Sequence, residues 1–426
     1  MGITRRSLMV VPAGVALAAG TGAPAMAGRG RPPRPVIFVH GSAGSAMQFR
    51  VQAKRLASNG YPAEIVEAHE YDSPNIATIV QQVWAGLDER ITRLLALTGS
   101  DQVDLAAHSL GTFVSQGYLN SSPERAARIA HYVNLDGRPA AALPGGVPTL
   151  AIWGEGDPAR TVAGASNVYF PGQSHTQTVS SEESFREIFR FLRGRDPHTT
   201  SVRRERVAHV SGRAVLFPSN TGVTGASLEI HRVGAHTGRR QGRAIRAAVA
   251  ADGRFGPVPL HPFERYEFAL LRPGEPTHHF YFEPFRRSDS FVRLLTSRPG
   301  EGLGGLVDTS DRHTALTFQR QKEWWGGEGD HLWINGQDIL NPATAPHQRR
   351  VIGVFAFDDG SDGVSDLSAP LPEFIAQTFI SGVDLFIPAS ARGTVSIVAQ
   401  ERGGGITRLP VPAWPSSGHR ISAEFG

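Results

Sequence analysis

Two small-residue turns, each set on the end of an apolar strand, constrain this chain more than any other feature. Pro35-Val36-Ile37-Phe38-Val39 reads as a buried strand and runs into His40-Gly41-Ser42-Ala43-Gly44-Ser45. Val103-Asp104-Leu105-Ala106 runs into Ala107-His108-Ser109-Leu110-Gly111, which places a serine at the apex of a turn followed by a helical stretch. Small residues at 107 and 111 let strand and helix approach, so the serine Oγ is held clear of the sheet edge. Together the turns predict a nucleophile elbow and its companion oxyanion loop.

From residue 34 to about 194 short apolar runs alternate with amphipathic stretches, the pattern of an α/β fold around a mainly parallel sheet. Strands are expected over 35–39, 63–67, 102–107, 130–135, 147–153 and 166–170. Ile76, Val80, Val83, Leu87, Ile91 and Leu94 recur at steps of four and three, one face of a helix. Ser181 with Glu182 and Glu183 opens another helix, with Phe185, Ile188, Phe189 and Leu192 as its stripe and Gly194 as its stop.

Beyond residue 198 the helical period disappears and alternating apolar positions take over, which predicts an all-β region, barrel or sandwich. Strands are expected at 215–217, 227–231, 266–270 and 278–282, then at 315–318, 332–334, 354–357, 384–387, 394–398 and 421–425. At 426 residues the chain exceeds what one core usually serves. The expected divisions are a signal segment at 1–27, an α/β domain at 28–197, and β parts at 198–303 and 304–426.

A serine hydroxyl is a poor nucleophile at neutral pH, so acyl transfer needs a base, a group orienting the base and donors aimed at the developing oxyanion. Ser109 is the candidate nucleophile, and the N–H groups of Leu110 and Ser42 are the expected donors. His40 and His108 read as structural. His175, on a glycine-containing loop after strand 166–170, has no competing histidine between 132 and 197 and is the candidate base. The acid is open: Asp157 follows the strand before the histidine's, and Asp136 follows the strand before that. Either gives the order Ser, Asp, His of an α/β-hydrolase.

Shared runs outside these positions carry a resemblance. Phe38–Ser45, Asn59–Glu64, His108–Phe113, Asn120–Ala127, Leu135–Gly137, Asn167–Phe170 and Pro412–Trp414 resemble an archaeal, thermostable lipase/carboxylesterase family that joins an α/β-hydrolase domain to a C-terminal β-barrel domain. The resemblance implies Ser109 as nucleophile, His175 as base, Asp136 as acid, and Ser42 and Leu110 as oxyanion donors. It also implies a lipid or other ester substrate and transient contact with a lipid surface. Two departures stand out. Ala107 replaces the first glycine of the elbow, and Tyr71–Asp101 holds one helix where the family inserts a longer lid, which predicts an open pocket. An open site would also suit an insoluble polyester, and a non-catalytic surface-binding protein on a relic hydrolase fold is the reading from another class.

Thr4-Arg5-Arg6-Ser7, an apolar run from Val10 to Ala19 and Ala25-Met26-Ala27 form the pattern of a twin-arginine export signal, so a secreted protein is expected, with no transmembrane segment in its mature form. With no cysteine, disulfides are excluded. Arginine clusters at 203–206 and 239–243 have no nucleic-acid module beside them and read as solvated surface. The chemistry requires no cofactor. Asp358, Asp362 and Asp366 in a glycine-containing loop suggest a structural calcium site, although the distal glutamate of an EF-hand is missing and a polar turn is the simpler reading. Trp324-Trp325 reads as core or as an exposed lipid contact.

Overall fold

The apolar runs of the first region form one six-stranded parallel sheet in the computed structural model, which describes residues 32–298 and 300–425. In chain order the strands are β1 (Val36–Val39), β2 (Val66–His69), β3 (Val103–His108), β4 (Ile129–Leu135), β5 (Thr149–Trp153) and β6 (Ser166–Tyr169). Across the sheet they lie β2-β1-β3-β4-β5-β6. β1, β3 and β5 are buried throughout, as strands covered on both faces must be. The strand expected over 63–67 is displaced: Ala63–Ile65 forms a 3-10 turn after Pro62, and pairing with β1 starts at Val66. The expected export signal at 1–27 lies outside the described residues. Among the described residues no helix is long and apolar enough to cross a membrane.

Alternate side chains of β1 and β3 enter opposite cores. Val36, Phe38 and Ala106 share a core with residues of α1 (Arg50–Ser58) and of the helix Glu182–Arg193. Ile37, Val39, Leu105 and Ala107 share the other with α2 (Ile76–Thr98) and α3 (Leu110–Ser121). Val83, Leu87, Ile91 and Leu94 of α2 are buried there. The one helix of the 71–101 segment therefore flanks the sheet. The helix Glu182–Arg193 starts where Ser181 Oγ accepts the Ser184 N–H and stops at Gly194, whose φ of 65° suits glycine.

The remainder is β structure with a four-residue helix at Pro372–Ile375 and a few 3-10 turns, built on an eight-stranded sheet in the order 240–248, 227–233, 265–271, 277–282, 419–424, 316–319, 353–357 and 380–384. Strand His419–Glu424 runs parallel to both its neighbours, Thr277–Phe282 and Leu316–Gln319, so a single sheet spans position 303. Two sandwich cores share it. Leu228, Ile230, Phe268 and Phe280 meet Val210, Val258 and Leu294 of a sheet formed by 254–260, 208–216 and 289–296. Phe318, Val354, Val383 and Ile421 meet Leu332, Ile334 and Ile397 of a smaller sheet.

Three strands of this region have no alternating pattern to announce them. Arg240–Ala248 is an exposed sheet edge rich in arginine, and Arg254–Leu260 is an edge carrying Pro257 and Pro259, both ordinary ways of blunting an edge. Asp289–Thr296 is buried almost throughout, so its apolar run has no period. The run expected as a strand at 384–387 is corrected: the strand is Ile380–Asp384, and Leu385–Ile387 lies beyond it.

The two regions interlock. Phe291 of the β region packs edge-on to Phe38 of β1, ring centroids 6.2 Å apart, while Met47 of the α/β region enters the first sandwich core. Asp289, fully buried against α1, accepts from Arg50 Nε at 2.5 Å and lies 3.8 Å from Lys54 Nζ. In the other direction Glu70, directly after β2, takes a bidentate grip from Arg293 at 2.7 and 3.0 Å, a third bond from Arg213 at 2.9 Å and the Ala46 N–H at 2.9 Å.

Burial by itself would raise the pKa of Glu70, but Arg293, the Ala46 N–H and Arg213 pull it down to about 2. A depressed carboxylate contributes stability above its unfolded-state pKa, near 4.5, and loses it as the pH falls through about 2. Unfolding free energy is therefore expected to decline between those two pH values, and Glu70→Gln to flatten that decline. Because the substitution leaves two arginines without their partner, it is also expected to cost about 3–5 kcal/mol at neutral pH. Urea unfolding followed by tryptophan fluorescence measures both effects.

Candidate active site

The C-terminal ends of β1, β3, β4 and β6 lie along one edge of the parallel sheet, and every candidate catalytic residue sits in a loop leaving that edge. β3 ends at His108 and α3 begins at Leu110, so Ser109 alone makes the turn, with φ 50° and ψ −121°. Such backbone is costly for a residue with a Cβ and is held by its surroundings. Here the Ser109 N–H donates to Leu135 O at 3.2 Å, and Ser109 O accepts from Thr112 N at 2.9 Å and Thr112 Oγ1 at 2.7 Å. Gly111 allows α3 to leave against the end of β1: a Cβ there would lie 2.4 Å from Val39 O and 2.5 Å from His40 O. Ala107 fits fully buried, so the small residue in place of the first elbow glycine is accommodated.

The loop after β1 presses on this elbow. A Cβ on Gly41 would lie 2.9 Å from Ser109 Cβ. The loop is pinned at several points: Gly41 N to Gln48 Oε1 at 3.1 Å, Ala43 N to Ser73 Oγ at 2.9 Å, and Ala46 N to Glu70. Among the described residues neither the Ser42 N–H nor the Leu110 N–H has a hydrogen-bond partner. Two donors from touching segments are thus left for a third party. His40 is structural, as expected: it stacks on Tyr71, Tyr71 OH donates to His40 O at 2.8 Å, and the Tyr71 N–H donates to its Nε2 at 3.1 Å.

His175 is buried on the loop after β6, and its Nδ1 lies 2.6 Å from Asp136 Oδ2. Asp136 is the first residue beyond β4, at φ 45°, with a carboxylate wholly out of solvent. Its other oxygen accepts the Gly154 N–H at 2.8 Å and forms an ion pair with Arg160, 2.9 Å from Nη2. Burial acts to raise its pKa, but the bonds from His175 and Gly154 and the charge of Arg160 outweigh it and hold the carboxyl below its usual range. Asp157, the other candidate acid, is exposed and caps its own turn by accepting the Ala159 N–H at 2.8 Å. The structure therefore brings Asp136, and not Asp157, to His175. His108 packs against His175, ring centroids 4.5 Å apart, and bonds through Nε2 to the His175 carbonyl at 3.1 Å. Burial lowers its pKa well below that of a free imidazole, so it stays neutral.

The remaining candidates disperse. Asp358 accepts the Gly363 N–H, Asp362 that of Val364 and Asp366 that of Ser368, each within its own turn. Among the described residues no group of three or more His, Cys, Asp or Glu is arranged to hold a metal ion. Trp324 and Trp325 are buried, which removes the exposed lipid-contact reading of that pair. Arg240 is paired with Glu267 at 2.7 Å, and Arg239 reaches the Gly393 carbonyl at 3.1 Å, so part of that arginine cluster is spent within the fold.

Sequence reasoning missed Arg160, Glu70 and Asn220. Asn220 Nδ2, from the β region, donates to Gly44 O at 2.8 Å and Tyr71 O at 3.2 Å, and so fixes the loop after β1. Beside that loop an apolar cavity holds about 1210 Å³ of space, its open mouth included. Ala43, Gly44 and Ser45 form one wall, and Phe217, Phe355 and Ile380 of the β region are among those opposite. The β region thus supplies much of the wall of this cavity, whose lining includes Ala43–Ser45 but neither Ser109 nor His175.

Three family models match successive parts of the chain: Lipase (class 2) over residues 33–121, Lipase C-terminal domain over 206–299, and a further C-terminal domain over 302–426. They support a lipase-like α/β-hydrolase followed by C-terminal β structure. Among solved structures, Aspergillus fumigatus lipase B aligns at 16% identity over 39% of this chain and 54% of its own, with a TM-score of 0.31. A predicted hydrolase of Thermoplasma acidophilum aligns at 17% identity over 38% and 87%, with a TM-score of 0.28. Phospholipase PlaB of Legionella pneumophila aligns at 10% identity over 62% and 92%, with a TM-score of 0.29. The chain spans about half the length of the Aspergillus lipase it matches. No curated protein matches it.

The close approach at Gly111 is testable without substrate. Gly111→Ala drives a Cβ into two backbone carbonyls and is expected to cost about 1–3 kcal/mol, whereas Gly172→Ala, with nothing within 4 Å of its Cβ position, does not destabilise. Urea midpoints of the two variants against the parent measure the contrast.

Proposed function

We propose that this protein is a secreted carboxylester hydrolase that cleaves acyl esters through Ser109, His175 and Asp136. The observation that carries the reading is the 2.6 Å bond between His175 Nδ1 and a fully buried, ionised Asp136, on loops that leave the same end of the sheet as a serine held at positive φ. Ser109 Oγ attacks the ester carbonyl while His175 Nε2 takes its proton. Asp136 keeps the proton on Nδ1 and stabilises the imidazolium that forms. The tetrahedral oxyanion is received by the N–H groups of Leu110 and Ser42. Collapse releases the alcohol, protonated by His175, and leaves an acyl-enzyme. Water activated by His175 then repeats the sequence and frees the acid.

The apolar cavity beside Ala43–Ser45 supports a lipid ester as substrate, because an acyl chain bound there would leave water for apolar walls. Secretion rests on the twin-arginine pattern at residues 1–27, and transient contact with a lipid surface accompanies a lipid substrate. No cofactor takes part in the scheme.

Ser109→Ala is expected to abolish both fluorophosphonate labelling and hydrolysis of p-nitrophenyl esters, and a folded, unlabelled wild type overturns the reading. Asp136→Asn is expected to lower kcat roughly 10³- to 10⁴-fold, the size of effect seen when a triad acid can no longer fix its histidine. Asp157→Asn is expected to keep the wild-type rate. The reverse ranking of the two aspartates in steady-state kinetics would assign the acid to Asp157.

A further inference from the structure

Glu323 lies in the β region, fully buried, and its carboxylate crosses to the loop that carries His175. Oε1 accepts the Thr176 N–H at 2.7 Å, and Oε2 accepts Thr176 Oγ1 at 2.7 Å and the Ser174 hydroxyl. The residues on both sides of His175 are therefore held by one side chain from a distant part of the chain. Thr176 is also the residue before a single-turn helix, Gln177–Ser180, so the loop has little regular structure of its own to set the angle at which the imidazole is presented.

The anchor behind Glu323 is itself fixed. Its carbonyl accepts from Arg320 Nη2 at 2.6 Å and Arg402 Nη1 at 2.6 Å, and the buried Asp330 bridges those two guanidiniums. Arg320 lies 3.6 Å over the Trp324 ring and Arg402 3.7 Å over that of Trp325, so the adjacent tryptophans buttress the arginines. Arg402 Nη2 continues across to Ser174 Oγ and Gln177 Oε1, both at 3.2 Å. Two cations and two carboxylates are gathered in a largely buried site, which makes the assembly costly to disturb.

We infer that Glu323 is a positioning residue for catalysis: it holds Ser174 and Thr176 and so sets the angle at which the His175 imidazole, bonded to Asp136, is presented to the elbow. The inference rests on the hydrolase reading above. Near-attack geometry is steep in distance, and a displacement of about 1 Å costs on the order of 100-fold in rate. A residue acting this way changes kcat and leaves substrate affinity largely alone.

The test uses the whole chain and a short, soluble p-nitrophenyl ester. Glu323→Ala is expected to lower kcat at least tenfold with KM within about twofold, and to slow fluorophosphonate labelling in proportion. Glu323→Gln restores most of the rate, because its amide oxygen still accepts the Thr176 N–H and its NH2 can donate to the two hydroxyls, which rotate to accept. Should Glu323→Ala fail to fold, the double variant Ser174→Ala, Thr176→Val keeps Glu323, removes the hydroxyl ends of the same bonds together with the Arg402 contact at Ser174, and is expected to lower kcat severalfold. Wild-type kcat in the folded Ala variant or, failing that, in the double variant overturns the inference, as does equal loss in the Gln and Ala variants. A folded wild type that neither turns over nor labels overturns the hydrolase reading instead.

Discussion

Three buried carboxylates hold this molecule together across the junction between its α/β and β regions. Glu70 reaches from the parallel sheet to Arg213 and Arg293, Asp289 reaches back to Arg50 and Lys54, and Glu323 crosses to Ser174 and Thr176. Each is desolvated, so each is tolerable only with its partners in place, and removal of one partner leaves an uncompensated charge in low dielectric. That asymmetry gives the junction a single geometry. A purely apolar seam of the same size could slide, whereas bidentate and multiply bonded carboxylates cannot.

The consequence for the candidate site is direct. Two of its loops are tied to the β region: the loop after β1 through Asn220 and the Glu70 cluster, and the histidine loop through Glu323 and Arg402. The elbow between them is fixed from within the parallel sheet, by Gly111 against β1 and by Ser109 bonded to the end of β4. The α/β region supplies the reacting groups, and the β region supplies much of the frame that sets their relative positions. The apolar cavity follows from the same arrangement, with one wall drawn from each side.

What was legible in the sequence is what local patterning dictates. The placement of Ser109 at the end of a buried strand and of His175 on the loop after β6, and the caps of the helix Glu182–Arg193, are written in a few adjacent residues each. The two aspartates were harder to separate, because both follow strands of the same sheet. What divides them is a backbone turn at φ 45° and contacts from Gly154 and Arg160, which are distant in sequence. Glu323, Asn220 and Glu70 carried no signal, since an isolated polar residue acquires its role only when a remote segment packs against it. The Trp324-Trp325 pair, readable as core or as an exposed lipid contact, is core: its rings lie beneath arginines in the interior. The edge strands at 240–248 and 254–260 escaped because arginine and proline there protect an edge and so erase the alternation that reveals a strand.

The eight-stranded sheet places His419–Glu424 between Thr277–Phe282 and Leu316–Gln319. The first sandwich therefore cannot finish its own sheet. During synthesis Thr277–Phe282 presents an open, apolar edge until a strand from much later in the chain arrives to cover it. Such an edge pairs readily with the wrong chain, and pairings so far apart in sequence form slowly. This protein must pass its assembly with that edge exposed, and a nascent chain halted anywhere in between is an aggregation-prone species.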